Sequence, residues 1–167
     1  CTYWLLLAPQ NFTDVGCAST RNDYLLTATF TVNPPAPAVN DNVLTPVTLV
    51  PCGASVNSST LSATQSRPAI TCAGFASDYA YDLWYKFTAN TALHTISATG
   101  NQDGVLEAFL GSYSSLQCSD ATGAGGAESI TLNTVVGQTY YVRWYAYTEG
   151  SQPPPANVTI RVTTPGG

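Results

Sequence analysis

The sequence predicts an all-β fold, an antiparallel β-sandwich with an extra pair of strands at its N-terminal end. Apolar residues alternate with Thr, Ser and Asn at a period of two, the pattern of strands that bury one face. Clusters of Gly, Pro and Asn separate these segments at nearly regular intervals, and helical periodicity is nearly absent. Many short strands without intervening helices favour a sandwich of the jelly-roll type.

The alternating pattern recurs along the whole chain, from an N-terminal TYWLLLA to a C-terminal segment that ends shortly before the last residue. Each segment has the length of a strand and is bounded by turn-forming residues. The predicted strands are residues 2–8, 24–32, 43–50, 55–63, 81–88, 93–99, 105–110, 128–133, 139–147 and 156–163.

A Pro-rich stretch, NPPAPAVNDN, separates the first two strands from the rest. Proline favours an extended, stiff chain with little capacity for pairing. We therefore predict an N-terminal strand pair at 1–33, a linker at 34–42 and a jelly-roll sandwich at 43–167. A lone pair of strands is marginally stable in water. The pair is then the tail of a preceding domain, a part of the following sandwich, or an addition to a sheet of a neighbouring molecule.

Charge and hydropathy exclude two classes of partner. Only 9% of the residues are charged, the net charge is −5, and the five cationic residues are scattered. Binding to nucleic acid or to an anionic membrane needs clustered cations. No apolar run reaches the ~20 residues of a membrane helix, so no membrane insertion is expected. The chain lacks Met and a signal-peptide pattern, which predicts a mature product or an excised piece. A lipid on Cys1 is a narrower alternative.

Five cysteines in a chain rich in Thr and Ser indicate an oxidising setting, extracellular or at the cell surface. No pair has the spacing of a zinc or redox motif, and a single histidine cannot complete a Cys/His metal cluster. Spacing favours the disulfides Cys1–Cys17 and Cys52–Cys72, each closing a loop of roughly twenty residues. Cys118 is then a free thiol or an intermolecular link.

Five short motifs follow one another from residue 40 onward. They are the NDN of PAVNDN, DLWYKF at 82–87, DGVLEAFLGS, CSD at 118–120 and GQTYYVR at 137–143. In this order they resemble jelly-roll modules, similar to bacterial pre-peptidase C-terminal domains, that occur in tandem in secreted proteins of Bacteroidota. The resemblance covers about three quarters of the chain.

This resemblance implies a jelly roll, export and a non-catalytic accessory role. It implies no particular ligand, because such modules are joined to proteases, glycosidases and adhesins alike. Two cysteines of the family pattern are replaced here, by Val43 and by Tyr113. The loss of the second agrees with an unpaired Cys118.

Candidates for catalysis are few. His94 is the only side chain whose ordinary pKa lies near neutrality, and it lies in phase with Ile96 and Ala98, which favours a buried or edge-strand histidine. Carboxylates such as Asp103 and Glu107 would suit a glycosidase, but the jelly-roll context favours a role in capping turns. We therefore expect no enzymatic activity.

A structural calcium ion is the one cofactor that the sequence suggests. Loops hold Ca²⁺ with carboxylate and carbonyl oxygens. Four aspartates lie at predicted strand ends, namely Asp41, Asp82, Asp103 and Asp120. The alternative is a set of Asx-turns without a metal.

The segment QTYYVRWYAY, residues 138–147, is the most aromatic part of the chain. Strand alternation sends Tyr140 and Trp144 to one side and Arg143 and Tyr145 to the other. Arginine avoids burial unless it is paired, so the second side is expected to face outward. With neighbouring residues it forms an aromatic face consisting of Trp84, Lys86, Tyr141, Arg143, Tyr145 and Tyr147. Such a face suits sugar stacking, contact with another protein, or cover by the linker or the N-terminal strands.

These observations predict a non-catalytic extracellular structural or adhesion module of a bacterial surface protein. Its expected partners are other proteins or copies of itself, and strand addition through the N-terminal segment would build fibres. The alternative is a carbohydrate-binding module appended to a secreted hydrolase, with a glycan as its ligand.

Overall fold

The computed structural model describes residues 36–111 and 114–166. The predicted strands at 2–8 and 24–32 and the predicted Cys1–Cys17 disulfide lie outside these residues, as does the boundary at residue 33. The described residues form β1 Val47–Thr48, β2 Val56–Ser59, β3 Thr71–Cys72, β4 Phe75–Ala76, β5 Asp82–Thr88, β6 Leu93–Gly100, β7 Gly104–Leu110, β8 Ser114–Ser119, β9 Ala127–Asn133, β10 Thr139–Ala146 and β11 Asn157–Thr163. No helix in this part of the chain is long and apolar enough to cross a membrane.

Eight of these strands form two antiparallel sheets. One sheet has the order β5-β10-β7-β8, with the short β1 parallel to β5, and the other has the order β2-β11-β6-β9. In chain order the first of the eight pairs with the last, the second with the seventh, the third with the sixth and the fourth with the fifth. This nested pairing is a jelly roll and confirms the predicted all-β sandwich.

The main core lies between the two sheets and follows the alternation of each strand. In β9, Ile130 and Leu132 are buried while Ser129 and Thr131 face solvent. In β10, the indole of Trp144 is wholly buried in the same cluster. Each large apolar side chain buried in this way stabilises the fold by about 1.5–3 kcal/mol.

The linker's C-terminal end is bound to the sandwich. Asn40 is buried, its carbonyl accepts a hydrogen bond from the Trp84 amide at 2.8 Å, and its side-chain amide donates to the Trp84 carbonyl at 3.1 Å. Residues 39–45 form turns, which is why the predicted strand at 43–50 is reduced to the two residues of β1.

The strand β8 was not predicted. Its sequence, SSLQCS, is largely polar and mostly exposed, so it lacks the alternation that marks a half-buried strand. A register shift between Ala108 and Phe109 of the partner strand β7 adds a further irregularity. As an edge strand, β8 pairs only with β7 among the described residues.

The disulfide connects Cys72 of β3 to Cys118 of β8, with 6.0 Å between their Cα atoms. The predicted Cys52–Cys72 disulfide is therefore wrong, and Cys118 is not a free thiol. Among the described residues, Cys52 is a free, exposed cysteine, and its Sγ lies 3.0 Å from Thr164 Oγ1. Loop length misled the prediction because the topology places β3 near β8, although 46 residues separate the two cysteines.

Candidate functional site

Half of the residues of the aromatic face predicted to be exposed are buried. Trp84 and Tyr145 are wholly buried and Arg143 is 1% exposed, so the prediction of an outward face is wrong for these three. The other members, Lys86, Tyr141 and Tyr147, are half-buried. Cover comes from the segment that precedes β5, since Ala69, Ile70, Cys72 and Ala80 pack in one cluster with Val105 and Tyr145.

Arg143 can be buried because each of its three guanidinium nitrogens donates a hydrogen bond. Its Nε donates to Asp82 Oδ2 at 2.8 Å, and its Nη1 lies 3.6 Å from Glu107 Oε2. Its Nη1 also donates to the Pro68 carbonyl at 2.9 Å, and its Nη2 donates to the Arg67 carbonyl. Arginine is excluded from interiors only while it lacks such partners.

The rings beside Arg143 are engaged as well. The guanidinium carbon lies 4.7 Å from the ring centroid of Tyr145 and 5.7 Å from that of Trp84, within cation–π range. Trp84 Nε1 donates to Ser66 Oγ at 2.8 Å, and the Tyr145 hydroxyl accepts from the Ile70 amide at 3.2 Å. The part of this side around Arg143 and Tyr145 is therefore a second core.

His94 is buried, as its alternation predicted. Its Nδ1 lies 2.9 Å from Thr134 Oγ1 and its Nε2 lies 2.9 Å from Asn90 Oδ1. Burial lowers the pKa of His94, so the imidazole is neutral at physiological pH. Both ring nitrogens are held by the protein.

The four candidate calcium ligands do not lie together. Asp41 accepts hydrogen bonds from the Thr64 amide and hydroxyl, and Asp82 is paired with Arg143. Within residues 36–111 and 114–166, no group of three or more His, Cys, Asp or Glu side chains is arranged to hold a metal ion. The remaining two aspartates, Asp103 and Asp120, line one cavity.

This acidic cavity lies at one end of the sandwich and has a volume of about 370 Å³. The β3–β4 hairpin, the β6–β7 turn, the β8–β9 loop and the residues after β10 meet there. Its lining consists of Phe75, Asp103, Asp120, Ala121, Thr122, Gly123, Tyr147 and Glu149.

Asp103 is fixed in place by the turn between β6 and β7. The two glycines that flank this turn lie flat on the buried indole of Trp144, and a Cβ added at Gly104 would lie 2.6 Å from Trp144 Nε1. A Cβ at Gly100 would lie 2.5 Å from Trp144 Cζ2. The Asp103 carbonyl also accepts from the Tyr147 amide at 2.9 Å, so the turn is fastened to the end of β10.

The β8–β9 loop, which carries Asp120, is organised by Glu128. The Glu128 carboxylate accepts from the Ala121 amide at 2.9 Å, the Thr122 amide at 2.8 Å, and the hydroxyls of Thr122 and Ser119. Burial alone would raise the pKa of Glu128, but these hydrogen bonds together hold the pKa below its ordinary value. Glu128 is therefore ionised and structural.

The cavity disfavours the ionised form of the aspartates that line it. Burial, followed by the charges of Asp103 and Glu128, raises the pKa of Asp120 to about 6. Burial also raises the pKa of Asp103. The Tyr147 hydroxyl donates to Glu149, which raises the pKa of Tyr147 to about 12.

Comparison with known proteins gives a likeness of fold alone. No protein family and no curated protein matches the sequence. A pre-peptidase C-terminal domain of a collagenase from Bacillus anthracis is 12% identical, with a TM-score of 0.43 over 70% of this chain and 92% of that one. PliG, a periplasmic inhibitor of g-type lysozyme from Aeromonas hydrophila, is 10% identical, with a TM-score of 0.39 over 70% of this chain and 96% of that one.

Sequence reasoning found part of the acidic cavity and missed the rest. The sequence indicated Asp103 and Asp120 as members of one candidate set of calcium ligands and Tyr147 as a member of the aromatic face, but it did not place Tyr147 beside the two aspartates. Phe75 and Glu149 were missed, because residues of four separate segments meet only through the jelly-roll topology. The local spacing of these residues carries no signal of their proximity.

Proposed function

We propose that this chain is a non-catalytic extracellular module for structure or adhesion, which joins copies of itself by β-strand addition along the outer edge of β9. Two observations support a role outside catalysis. The histidine is held inside the fold, and the Arg143 ion pairs lie under a cover of the chain's own residues. The disulfide Cys72–Cys118 supports an oxidising, extracellular location.

The proposal rests on the outer edge of β9, the edge that does not pair with β6. Proteins normally blunt a sheet edge with a very short strand, a charge, a proline or a bulge. Here β1 has two residues, β2 has four, and β8 has the register shift and the disulfide. In contrast, β9 has seven residues, and its solvent-facing side chains are Ala127, Ser129, Thr131 and Asn133, which are small and uncharged.

The backbone of β9 points the groups needed for pairing away from the sheet. The Ser129 amide donates to Ser119 Oγ at 3.4 Å, so it is directed away from β6. Because backbone groups alternate along an antiparallel strand, the amides of Thr131 and Asn133 point the same way. No strand within residues 36–111 and 114–166 pairs with this edge.

The sequence supplies a donor strand for this edge. Residues 24–32 alternate Leu26, Ala28, Phe30 and Val32 with threonines. An added strand with this pattern would place its apolar side on the core side of β9, while main-chain hydrogen bonds supply the affinity. Donation from one copy to the next produces an open-ended assembly, because the contact is head-to-tail.

Replacing Thr131 with proline tests this contact in the full chain. Proline removes the outward amide without removing a hydrogen bond to β6, and edge strands tolerate it. We expect wild-type protein to form large assemblies by light scattering and electron microscopy, and the T131P protein to remain monomeric. The matched control is Thr131→Ala, which also loses the hydroxyl contact with Thr95 but keeps the amide and should assemble normally.

A second experiment removes the segment that contains the proposed donor strand. Deleting residues 1–33 should give a folded protein, judged by circular dichroism, that no longer assembles. The proposal is wrong if wild-type protein is monomeric at high concentration, or if both the T131P protein and the truncated protein still assemble.

As a second candidate we propose a glycan-binding role for the acidic cavity. Phe75 is 54% exposed, and its ring meets that of Tyr147 edge to face, with 6.2 Å between centroids. Exposed aromatic rings beside carboxylates suit sugar rings and hydroxyls. Phe75→Ala should abolish any glycan-array signal with little change in stability, whereas Leu61→Ala, at another exposed apolar residue, should keep it. A wild-type protein that binds no glycan removes this candidate.

A further inference from the structure

Two carboxylates in the acidic cavity have buried oxygens that lack hydrogen-bond partners. Among the described residues, neither Asp103 Oδ1 nor Asp120 Oδ2 has a partner. Asp120 is only 6% exposed. A buried, unpaired polar atom costs about 1–3 kcal/mol, and more if it is charged, so folded proteins rarely keep one without a reason.

The surroundings of these oxygens do not supply a positive charge. No Lys, Arg or His lines the cavity. The nearby acidic groups are Glu128, which is ionised and holds the loop, and Glu149 at the mouth. Two aspartates thus line a space bordered by further negative charge, and one oxygen of each has no hydrogen-bond donor among the described residues.

The donor set is typical of a hard cation. Every polar side chain of the lining presents oxygen, from Asp103, Asp120, Thr122, Tyr147 and Glu149. Ca²⁺ takes six to eight oxygen ligands from carboxylates, carbonyls and water, and tolerates irregular geometry. Mg²⁺ demands a near-ideal octahedron and Zn²⁺ prefers nitrogen and sulfur, so both fit less well.

We propose that the acidic cavity binds a calcium ion through the two carboxylates of Asp103 and Asp120, with backbone carbonyls and water completing the shell. The ion joins the β6–β7 turn to the β8–β9 loop at one end of the jelly roll. With two carboxylates rather than three or four, the expected Kd is about 10⁻⁴–10⁻³ M, the range of extracellular calcium modules. Asp41 and Asp82 have no part in this site, and the inference does not depend on strand addition.

Thermal unfolding of the full chain at neutral pH tests the site. About 10 mM CaCl₂ should raise the Tm by about 3 °C or more relative to chelator, because the ion binds only the folded state. MgCl₂ at equal ionic strength should raise the Tm much less. Terbium luminescence, sensitised by the nearby Tyr147, reports binding directly and should decrease as calcium is added.

The Asp120→Asn variant should change two measurements in opposite directions. Removing the charge relieves repulsion from Asp103 and Glu128, so the Tm in chelator should rise. The same variant should lose the calcium-dependent rise and the terbium signal. The control is Asp41→Asn, which alters a carboxylate outside the cavity and should keep the full calcium response.

Three results would overturn the proposal. They are a wild-type Tm and a terbium signal that do not respond to calcium, an equal rise with magnesium, and a calcium response that survives Asp120→Asn. If that variant fails to fold, isothermal titration of wild-type protein with CaCl₂ decides, since an absence of saturable binding below about 10 mM excludes the site.

Discussion

Replacing Arg143 with methionine should lower the free energy of unfolding by about 3–5 kcal/mol, the loss that follows when one partner of a buried ion pair is removed. Methionine fills most of the space of the arginine stem but leaves the carboxylates of Asp82 and Glu107 buried without their counter-charge. The Arg67 and Pro68 carbonyls lose their donors at the same time. Urea denaturation at neutral pH measures the loss as a lower midpoint with an unchanged m-value.

The stability lost in the Arg143→Met variant should be smaller at acid pH than at neutral pH. Burial raises the pKa of Asp82 in the native protein, and the charge of Arg143 opposes that rise. Without Arg143 the pKa of Asp82 rises further. A carboxyl group whose pKa is higher in the folded than in the unfolded state makes folding less favourable as pH rises through the interval between the two values. The variant should therefore recover part of its deficit at about pH 4, where Asp82 is protonated.

Two variants separate the network from a general effect of losing an arginine. Arg161→Met changes an exposed arginine of β11 and should alter stability by less than about 0.5 kcal/mol. Combining Arg143→Met with Asp82→Asn and Glu107→Gln removes the orphaned charges and should restore part of the loss. A loss below about 1 kcal/mol for Arg143→Met alone would contradict a buried guanidinium that is paired with Asp82 and Glu107.

Arg143 also illustrates which features of the structure could not be predicted from the sequence. Strand alternation is local, and it correctly indicates that Arg143 and Tyr145 lie on the opposite side of β10 from Trp144. What lies over that side is set by contacts between distant segments. Asp82 is 61 residues away along the chain, and the covering carbonyl of Pro68 is 75 residues away. The rule that arginine stays outside holds only for an arginine without partners.

The same distinction between local and distant contacts explains the other outcomes. The sandwich was predictable because its strands alternate within a few residues, and β8 was missed because an exposed serine-rich edge strand does not alternate. The disulfide and the acidic cavity depend on which strands become neighbours. Because the strands pair in nested order, first with last, Asp103 and Asp120 line the same cavity. Asp41 does not line it. Residue spacing contains no measure of that nesting.

Removing the Cys72–Cys118 disulfide should lower the free energy of unfolding by about 2–4 kcal/mol. The disulfide closes a 46-residue separation, and cross-linking so long a loop restricts the unfolded chain considerably. It also ties the β3–β4 hairpin to β8, beside the buried ring of Tyr145. The double variant Cys72→Ala, Cys118→Ala should therefore unfold at lower urea concentration, and the hairpin should lose protection first.

Local loosening is measurable separately from global stability. Hydrogen exchange in the absence of denaturant should increase in residues 64–76 of the double variant, while β6 and β9 keep their protection, because the main core between the sheets does not contain the disulfide. The control is Cys52→Ala, which changes the exposed free cysteine and should leave both readouts as in wild-type protein. If the double variant exchanged uniformly faster throughout both sheets, the cover and the main core would form one cooperative unit rather than two. A double variant as stable as wild-type protein would show that the hairpin is held by packing on Val105 and Tyr145 and not by the covalent link.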